Sequence, residues 1–203
     1  ITADGDKYLS FEDLTFGNVV FGPSTPQEQQ GTEDPRLAKR PDGTYLMFYT
    51  AVEVATTGAW IARLSLATSM DPLNPGGWTR YGALFPDVDG FQFTKSGALL
   101  VNPTGTSYLI FGDCSLYNGL QVATASPDFT SYTVIEDVLL VEKRPGMFDS
   151  ALVESGPPPM QLVDGNWLFV YNAAQSLQGV PNKLFYNPGY VILNGSNPLQ
   201  VLQ

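Results

Sequence analysis

The stretch GTYLMFYTA (43–51) recurs twice along the chain, as TSYLIFGDC (106–114) and GNWLFVYNA (165–173). Each copy follows a turn that contains Gly or Pro. Each copy also places one aromatic residue at the same point, and the three residues Tyr45, Tyr108 and Trp167 are spaced 63 and 59 residues apart. Self-similarity at a fixed spacing predicts a repeat architecture in which each copy has the same place in its unit.

A second element recurs in phase with the first, because SLATSMDPLNPGGW (65–78) resembles QVATASPDFTSY (121–132). Short apolar runs bounded by Gly, Pro, Asn and Asp predict strands, and no long window has the helical spacing of apolar residues. The runs that we interpret as strands are 45–51, 62–69, 107–114, 120–126, 167–174 and 190–193.

A repeat of about 60 residues that contains about four strands is typical of a β-propeller blade. The alternative is a β-sandwich whose strands resemble one another by chance. The opening ITADGDKYLSF (1–11) resembles a unit that lacks its first half. We therefore predict an all-β fold in which residues 1–203 form one partial propeller domain of three to three and a half blades.

Composition excludes several classes of function. The 203 residues include 20 acidic and 10 basic side chains, and a net charge of −10 disfavours binding to nucleic acid or to an anionic membrane. The chain has no histidine, so it contains no Ser-His-Asp or Cys-His catalytic set. Cys114 is the only cysteine, which excludes an internal disulfide. We predict no metal site and no cofactor.

Four segments resemble glycoside hydrolase family 130, the mannoside phosphorylases and related mannosidases. GTEDPRLAKRPDGTYLMFYTA (31–51) resembles the family's Gly-x-Glu-Asp-Pro-Arg and its Tyr-rich strand. FTKSGALLV (93–101) resembles its Lys-Asn/Asp-x-x-Leu-Phe segment. FDSALVESGPPPMQLVDGNWLFVYNA (148–173) resembles its Trp-Asp-Ser and Gly-Pro-Pro-Pro run, and LFYNPGYVILNGSNPLQVL (184–202) resembles its ending. The resemblance implies a five-bladed propeller whose first and last blades are not in this sequence.

The chain departs from the phosphorylases at positions that matter for phosphate. Phe111 and Gly112 stand where the phosphorylases place an Arg, and Asn172-Ala173 replaces the His-Gly of their Tyr-His-Gly. Phosphate binding needs several cationic or N–H donors. The substitutions therefore favour hydrolysis over phosphorolysis, with inorganic phosphate as the less favoured co-substrate.

The resemblance implies that Asp34 is the general acid that protonates the glycosidic oxygen. The alternative is an acid in a turn before Pro35 that pairs with Arg36. Lys95 matches the family's pocket lysine, and its setting between apolar residues requires a partner such as Asp34 or Asp149. We expect Arg36 to bind substrate in the same network.

Asp149 matches the acid of Trp-Asp-Ser, which implies that it binds sugar hydroxyls. A surface turn acid is the alternative. Glu154 stands where the phosphorylases have Gly, and we consider it a general base that activates water or else a solvated loop acid. Tyr171 and Asn172 complete the predicted substrate-binding residues. We expect Asp34, Arg36, Lys95 and Asp149 to meet at one end of the channel.

These residues predict an enzyme that cleaves β-mannosides or similar linkages of an oligosaccharide with inversion. The alternative is a carbohydrate-binding or structural propeller without turnover. The remaining blades are expected partners, from the rest of a longer protein or from another chain. Asn194-Gly195-Ser196 fits the N-glycosylation pattern and slightly favours secretion.

Overall fold

A computed structural model describes residues 19–85, 94–112, 118–177, 179–180 and 183–203. Within these ranges the chain is almost entirely β, with one 3-10 turn, and no helix has the length and apolarity to cross a membrane. The strands are β1 (Gly31–Lys39), β2 (Tyr45–Val54), β3 (Trp60–Ser69), β4 (Thr79–Ala83), β5 (Ala98–Leu100), β6 (Tyr108–Phe111), β7 (Gly119–Ala125), β8 (Tyr132–Glu142), β9 (Leu152–Ser155), β10 (Met160–Gln161), β11 (Trp167–Ser176) and β12 (Leu184–Leu193).

The strands form three separate antiparallel sheets that follow one another along the chain. The first has the order β1-β2-β3-β4 and the second β5-β6-β7-β8. In the third, β9 and β10 pair with successive parts of β11, and β12 pairs with its other side. The three repeated segments become β2, β6 and β11, each the second position of its sheet. The predicted array of blades is therefore confirmed, while the half unit at residues 1–11 lies outside the described residues.

The charged stretch before β2 is itself a strand, which sequence periodicity did not indicate. We expected Glu33 to Arg36 to precede the first strand of the unit, but β1 includes them and pairs with β2 from Gly31 to Lys39. Asp34 and Pro35 together face one residue of β2, so they form a β-bulge. The bulge leaves Pro35 outside the hydrogen-bond ladder, where its missing N–H costs nothing.

Two of the three apolar clusters among the described residues lie in the seams between neighbouring sheets, and the third, around Met47 and Tyr49, lies on the other face of the first sheet. Phe48 and Leu66 of the first sheet pack with Leu109 and Phe111 of the second. Ile110, the residue between those two, points the other way and packs with Phe169 of the third sheet. Both faces of a blade are therefore buried, which explains why the second strands are apolar without interruption. The hydrophobic effect fixes the blades side by side and leaves polar residues at strand ends.

A buried carboxylate fastens the segment before β1 to the first sheet. Glu28 is almost fully buried and accepts hydrogen bonds from Tyr49 Oη (2.7 Å) and Arg80 Nε (3.1 Å). It also accepts from the backbone N–H of Ser24 at 2.7 Å. Burial raises the pKa of Glu28, but the hydrogen bonds from Tyr49, Ser24 and Arg80 outweigh it and the net shift is downward.

Candidate active site

The repeat places charged residues at equivalent points of successive blades. Glu33 pairs with Thr50 in the first sheet, and Glu154 pairs with Asn172 in the third. Thr50 and Asn172 each stand five residues after the aromatic residue that marks the repeat, Tyr45 or Trp167. The two glutamates therefore occupy the same level on the first strands of their blades.

The second blade brings a cation to the same level. The Lys95 carbonyl accepts a hydrogen bond from the Gly112 N–H at 3.1 Å, just beyond the paired part of β5 and β6. Lys95 Nζ lies 3.5 Å from Glu33 Oε2 and 4.0 Å from Asp34 Oδ2. The ammonium group thus links two carboxylates of the first blade. Asp34 keeps 39% of its side chain exposed, so its carboxylate is accessible to a ligand.

Arg36 connects all three described blades. From β1 its Nε donates to the Gly156 carbonyl at 3.0 Å, and its Nη2 donates to the Ser155 carbonyl at 3.1 Å. Nη2 also lies 3.4 Å from Ser96 Oγ in the second blade. A guanidinium that satisfies two carbonyls and a hydroxyl acts as a rigid clamp on the first strands.

Glu154 is held from both sides. Its Oε1 accepts a hydrogen bond of 2.5 Å from Ser96 Oγ, and its Oε2 accepts one of 3.3 Å from Asn172 Nδ2. Ser96 is buried, whereas Asn172 is exposed. Because Ser96 contacts both Glu154 and Arg36 and follows Lys95 directly, it joins the acidic groups of the first and third blades into one polar network. We call these residues, Glu33, Asp34, Arg36, Lys95, Ser96, Glu154 and Asn172, the channel cluster.

Two residues of the channel cluster have a left-handed backbone. Asp34 has φ 51° and Ser96 has φ 53°, and both are among the four non-glycine residues with positive φ in the described chain. This conformation costs of order 1–3 kcal/mol for such residues and persists where the surrounding structure requires it. In Asp34 it belongs to the bulge, which redirects the side chain out of the ordinary alternation of β1.

Asp149 lies in a different environment. It is fully buried and accepts hydrogen bonds from Arg144 Nε at 2.8 Å and Tyr171 Oη at 3.1 Å. Burial and the neighbouring Asp149 carboxylate raise the pKa of Tyr171 to about 12, so its hydroxyl remains a donor at neutral pH. The hydrogen bond to Asp149 also raises the pKa of Arg144. We call Arg144, Asp149 and Tyr171 the buried triad.

The buried triad and the channel cluster use opposite faces of the third sheet. Tyr171 and Asn172 are neighbours on β11, and successive side chains of a strand point to opposite faces. The Tyr171 ring covers Gly189 of β12, where any side chain would collide with it. Tyr171 therefore leans away from the first strand of its blade, whereas Asn172 contacts Glu154 across that strand.

Five of the seven predicted site residues meet in the channel cluster: Asp34, Arg36, Lys95, Glu154 and Asn172. Asp149 and Tyr171 form the buried triad instead. Sequence reasoning missed Ser96 as a partner of Glu154 and did not assign Glu33 a contact with Lys95. The position of Ser96 in the segment that resembles Lys-Asn/Asp was a usable signal, because Asn and Asp tolerate the left-handed backbone that Ser96 adopts. The catalytic and binding roles of these residues remain predictions.

The channel cluster combines carboxylates with cationic and neutral hydrogen-bond donors. Among the described residues, no three Asp, Glu, His or Cys side chains lie together in a way that could hold a metal ion. Two carboxylates on separate blades, with a cation beside one of them and neutral donors on the other, suit acid–base chemistry on a ligand in the channel.

Most of the chain is similar in sequence to known proteins of one family. The family model for glycoside hydrolase family 130, described as beta-1,4-mannooligosaccharide phosphorylase, matches residues 4–203. A curated 1,2-beta-oligomannan phosphorylase of Thermoanaerobacter sp. (strain X514) is 26% identical over 202 residues, which cover 100% of this chain and 59% of that protein.

Solved structures extend the likeness to the fold. One solved structure is 27% identical to this chain, with a TM-score of 0.72. It is described with the words "The GH130 family of mannoside phosphorylases contains glycoside hydrolases that target beta-1,2 mannosidic linkages in Candida mannan". The match covers 91% of this chain and 55% of that one. A glycosyl hydrolase from Bacteroides ovatus is also 27% identical, with a TM-score of 0.71, and the match covers 90% and 54% of the two chains. The chain thus spans little more than half the length of the proteins it matches.

Proposed function

Because the chain belongs to glycoside hydrolase family 130, which acts on β-mannosidic linkages, we propose that it contributes the acid–base part of an active site that hydrolyses β-mannosides with inversion. The observation that carries the proposal is the channel cluster. In this cluster Lys95 lies 4.0 Å from Asp34 of the first blade, and the next residue, Ser96, donates a hydrogen bond to Glu154 of the third blade.

Asp34 is the proposed general acid, which donates its proton to the glycosidic oxygen as the bond to the anomeric carbon breaks. Its exposure and its place on a bulge support this role, because a proton donor must reach the substrate from a defined direction. The Lys95 ammonium lies 4.0 Å from the Asp34 carboxyl group.

Glu154 is the proposed general base, which accepts a proton from the water that attacks the opposite face of the sugar. Inverting enzymes hold the two carboxyl groups about 6.5–9.5 Å apart to leave room for this water. Ser96 and Asn172 bind one oxygen of Glu154 each and thereby orient the carboxylate. The two acids lie on different blades, Asp34 on β1 and Glu154 on β9.

Hydrolysis is favoured over phosphorolysis because the groups available to bind phosphate are already engaged or replaced. The Arg36 guanidinium already binds two backbone carbonyls, so a phosphate ion would have to compete with them. Phe111, which stands where the phosphorylases place an Arg, is fully buried and stacks on Phe85 with ring centroids 4.7 Å apart. Phosphate needs several donors at once, and this position supplies none.

We also propose that further blades complete the ring. The third sheet exposes large apolar side chains on β12, among them Phe185 at 52%, Tyr186 at 58% and Tyr190 at 55%. The two seams between described sheets show how such side chains are covered in this fold. A neighbouring blade would bury them in the same way.

Product analysis tests the proposed reaction. The intact protein is incubated with β-1,2- and β-1,4-linked manno-oligosaccharides, with and without inorganic phosphate, and free mannose and mannose 1-phosphate are measured separately. We expect free mannose at a rate that phosphate does not change. Glu154→Gln should lower that rate by about 10²–10⁴, the usual contribution of a positioned acid or base.

Two results would contradict the proposal. Formation of mannose 1-phosphate that depends on added phosphate would assign phosphorolysis to the site. Binding of the oligosaccharides without turnover by the wild-type protein would assign the alternative, a carbohydrate-binding propeller.

A further inference from the structure

A groove with a volume of about 290 Å³ opens beside the proposed acid. Its lining residues are Glu33, Val52, Trp60, Ala62 and Lys95. Glu33 and Lys95 belong to the channel cluster, whereas Trp60 has no part in the proposed reaction. The groove therefore joins the candidate active site to an aromatic residue whose position needs an explanation.

Trp60 lies at the edge of the seam between the first and second sheets. It is the first residue of β3 and lies on the same strand face as Leu64 and Leu66, which pack against the second sheet in the core. Unlike those leucines, Trp60 is 62% exposed. The core thus ends below Trp60, and its indole ring forms part of the groove wall above it.

Lys95 lies both in the wall of the groove and beside Asp34, the proposed acid. Lys95 Nζ lies 3.5 Å from Glu33 in the groove wall and 4.0 Å from Asp34. A group that occupies the groove would therefore lie next to the group that Asp34 protonates.

The lining matches the chemistry of a pyranose ring. A sugar presents an apolar C–H face and a rim of hydroxyl groups, and an indole is a large, rigid, amphipathic contact surface for such a face. The Glu33 carboxylate can accept hydrogen bonds from hydroxyl groups, and the Lys95 ammonium can donate to them. The volume of about 290 Å³ lies just below the usual range for ligand pockets, about 300–1,000 Å³, which suits one sugar unit better than several.

We propose that Trp60, Glu33 and Lys95 form an additional subsite that binds one further sugar unit of an oligosaccharide, next to the unit at Asp34. This inference rests on the proposed function. Trp60 supplies the stacking platform, and Glu33 and Lys95 bind hydroxyl groups. The subsite makes the enzyme select longer oligosaccharides over disaccharides.

Binding measurements in a variant with strongly reduced turnover test the subsite. Asp34→Asn is the parent protein, and its affinity for β-linked mannobiose, mannotriose and mannotetraose is measured by calorimetry. Adding Trp60→Ala should weaken binding of the longer oligosaccharides roughly tenfold, as expected for loss of one stacking contact, and leave mannobiose nearly unchanged. Trp60→Phe should retain most of the affinity because a flat ring remains.

Tyr81→Ala serves as the matched control. Tyr81 is another exposed aromatic residue of the first sheet, on β4, and it lines a different groove. Its removal should not change the dependence of affinity on oligosaccharide length. Circular dichroism of each variant checks that the fold is retained.

The outcomes separate the subsite from the proposed function. Equal affinities of the parent and Trp60→Ala for every chain length, together with turnover by the wild-type protein, would overturn the subsite and leave the proposed function standing. No binding of any manno-oligosaccharide by a folded parent, together with no turnover by the wild-type protein, would overturn both.

Discussion

The channel cluster and the buried triad each contain an aspartate beside a basic residue, but they surround it differently. Asp34 is 39% exposed, and its nearest cation, Lys95, is shared with a second carboxylate. Asp149 is fully buried and receives hydrogen bonds from both Arg144 and Tyr171 on one of its oxygens. The comparison separates a partly exposed acid that a ligand can reach from a buried acid that is already paired within the chain.

The difference follows from which part of a blade each acid occupies. Asp34 lies on the first strand, on a bulge that turns its side chain out of the ladder. Asp149 precedes the first strand of the third blade and points toward Tyr171, which packs in the seam between the second and third sheets. A carboxylate in a seam must be paired because an unpaired buried charge is very costly. The variants below test this assignment of roles.

The largest effect is expected on activity. Asp34→Asn keeps the shape of the side chain but cannot donate a carboxyl proton, so turnover of an unactivated β-mannoside should fall by about 10²–10⁴ or more. Substrates with good leaving groups should lose less, since they need less protonation. Asp149→Asn, measured well below its melting temperature, should retain its KM. Wild-type rates in Asp34→Asn would remove it from the mechanism, and a large rise in KM for Asp149→Asn would place Asp149 in the substrate site.

The second effect is on stability, where we expect a loss in the Asp149 variant and almost none in the Asp34 variant. Asp149→Asn removes the charge that Arg144 and Tyr171 bind, which should lower the free energy of unfolding by about 1–3 kcal/mol. The loss stays below that of a fully buried ion pair because Arg144 is 55% exposed and water can solvate it. Urea denaturation of the intact protein measures the change, with Asp34→Asn as the control of near wild-type stability. Equal losses in the two variants would contradict the comparison.

A smaller effect is expected at Ser96, which contacts both Arg36 and Glu154 in the channel cluster. Ser96→Ala removes the hydrogen bond to Glu154 and should lower kcat roughly tenfold with little change in KM, since it disturbs the orientation of the base. Ser96→Asn should recover part of the rate, because Asn tolerates the left-handed backbone and supplies an N–H donor. The pH profile of kcat distinguishes this positioning role from a general loss of stability. An unchanged profile and kcat in Ser96→Ala would exclude the role.

The smallest effect concerns how the stability of the protein depends on pH through Glu28. Like Asp149, Glu28 is a buried acid that is paired with a basic residue and a tyrosine. Its pKa in the folded chain lies below the ordinary value of 4.5, so the folded state releases the proton more readily than the unfolded state. Glu28 therefore contributes its full stabilisation above about pH 4.5 and loses it as the pH falls through the lowered pKa. Melting temperatures between pH 3 and 7, about the range in which carboxylates titrate, should depend less steeply on pH in Glu28→Gln than in the wild-type protein. Parallel curves for the two proteins would contradict the assignment.

The sequence by itself determined the fold class and the family. Tyr45, Tyr108 and Trp167 predicted the equivalence of β2, β6 and β11, and the structure confirmed it because strands buried on both faces must be apolar throughout and are easy to recognise. The resemblance to glycoside hydrolase family 130 is confirmed over residues 4–203. The sequence also predicted a carboxylate beside Lys95, because a cation in apolar surroundings requires a partner, but it left Asp34 and Asp149 as alternatives and the structure places Asp34 there.

Only the tertiary structure decided which charged residues meet. β1 was not recognised as a strand, since its side chains are partly exposed and its bulge breaks the alternation that marks a strand. Arg36 contacts residues that lie 60 to 120 positions away, and Ser96 contacts Glu154 at a separation of 58. Such contacts depend on how neighbouring sheets pack against one another. Tyr171 and Asn172 are adjacent in sequence, yet the alternation of side chains along β11 sends one to the buried triad and the other to the channel cluster.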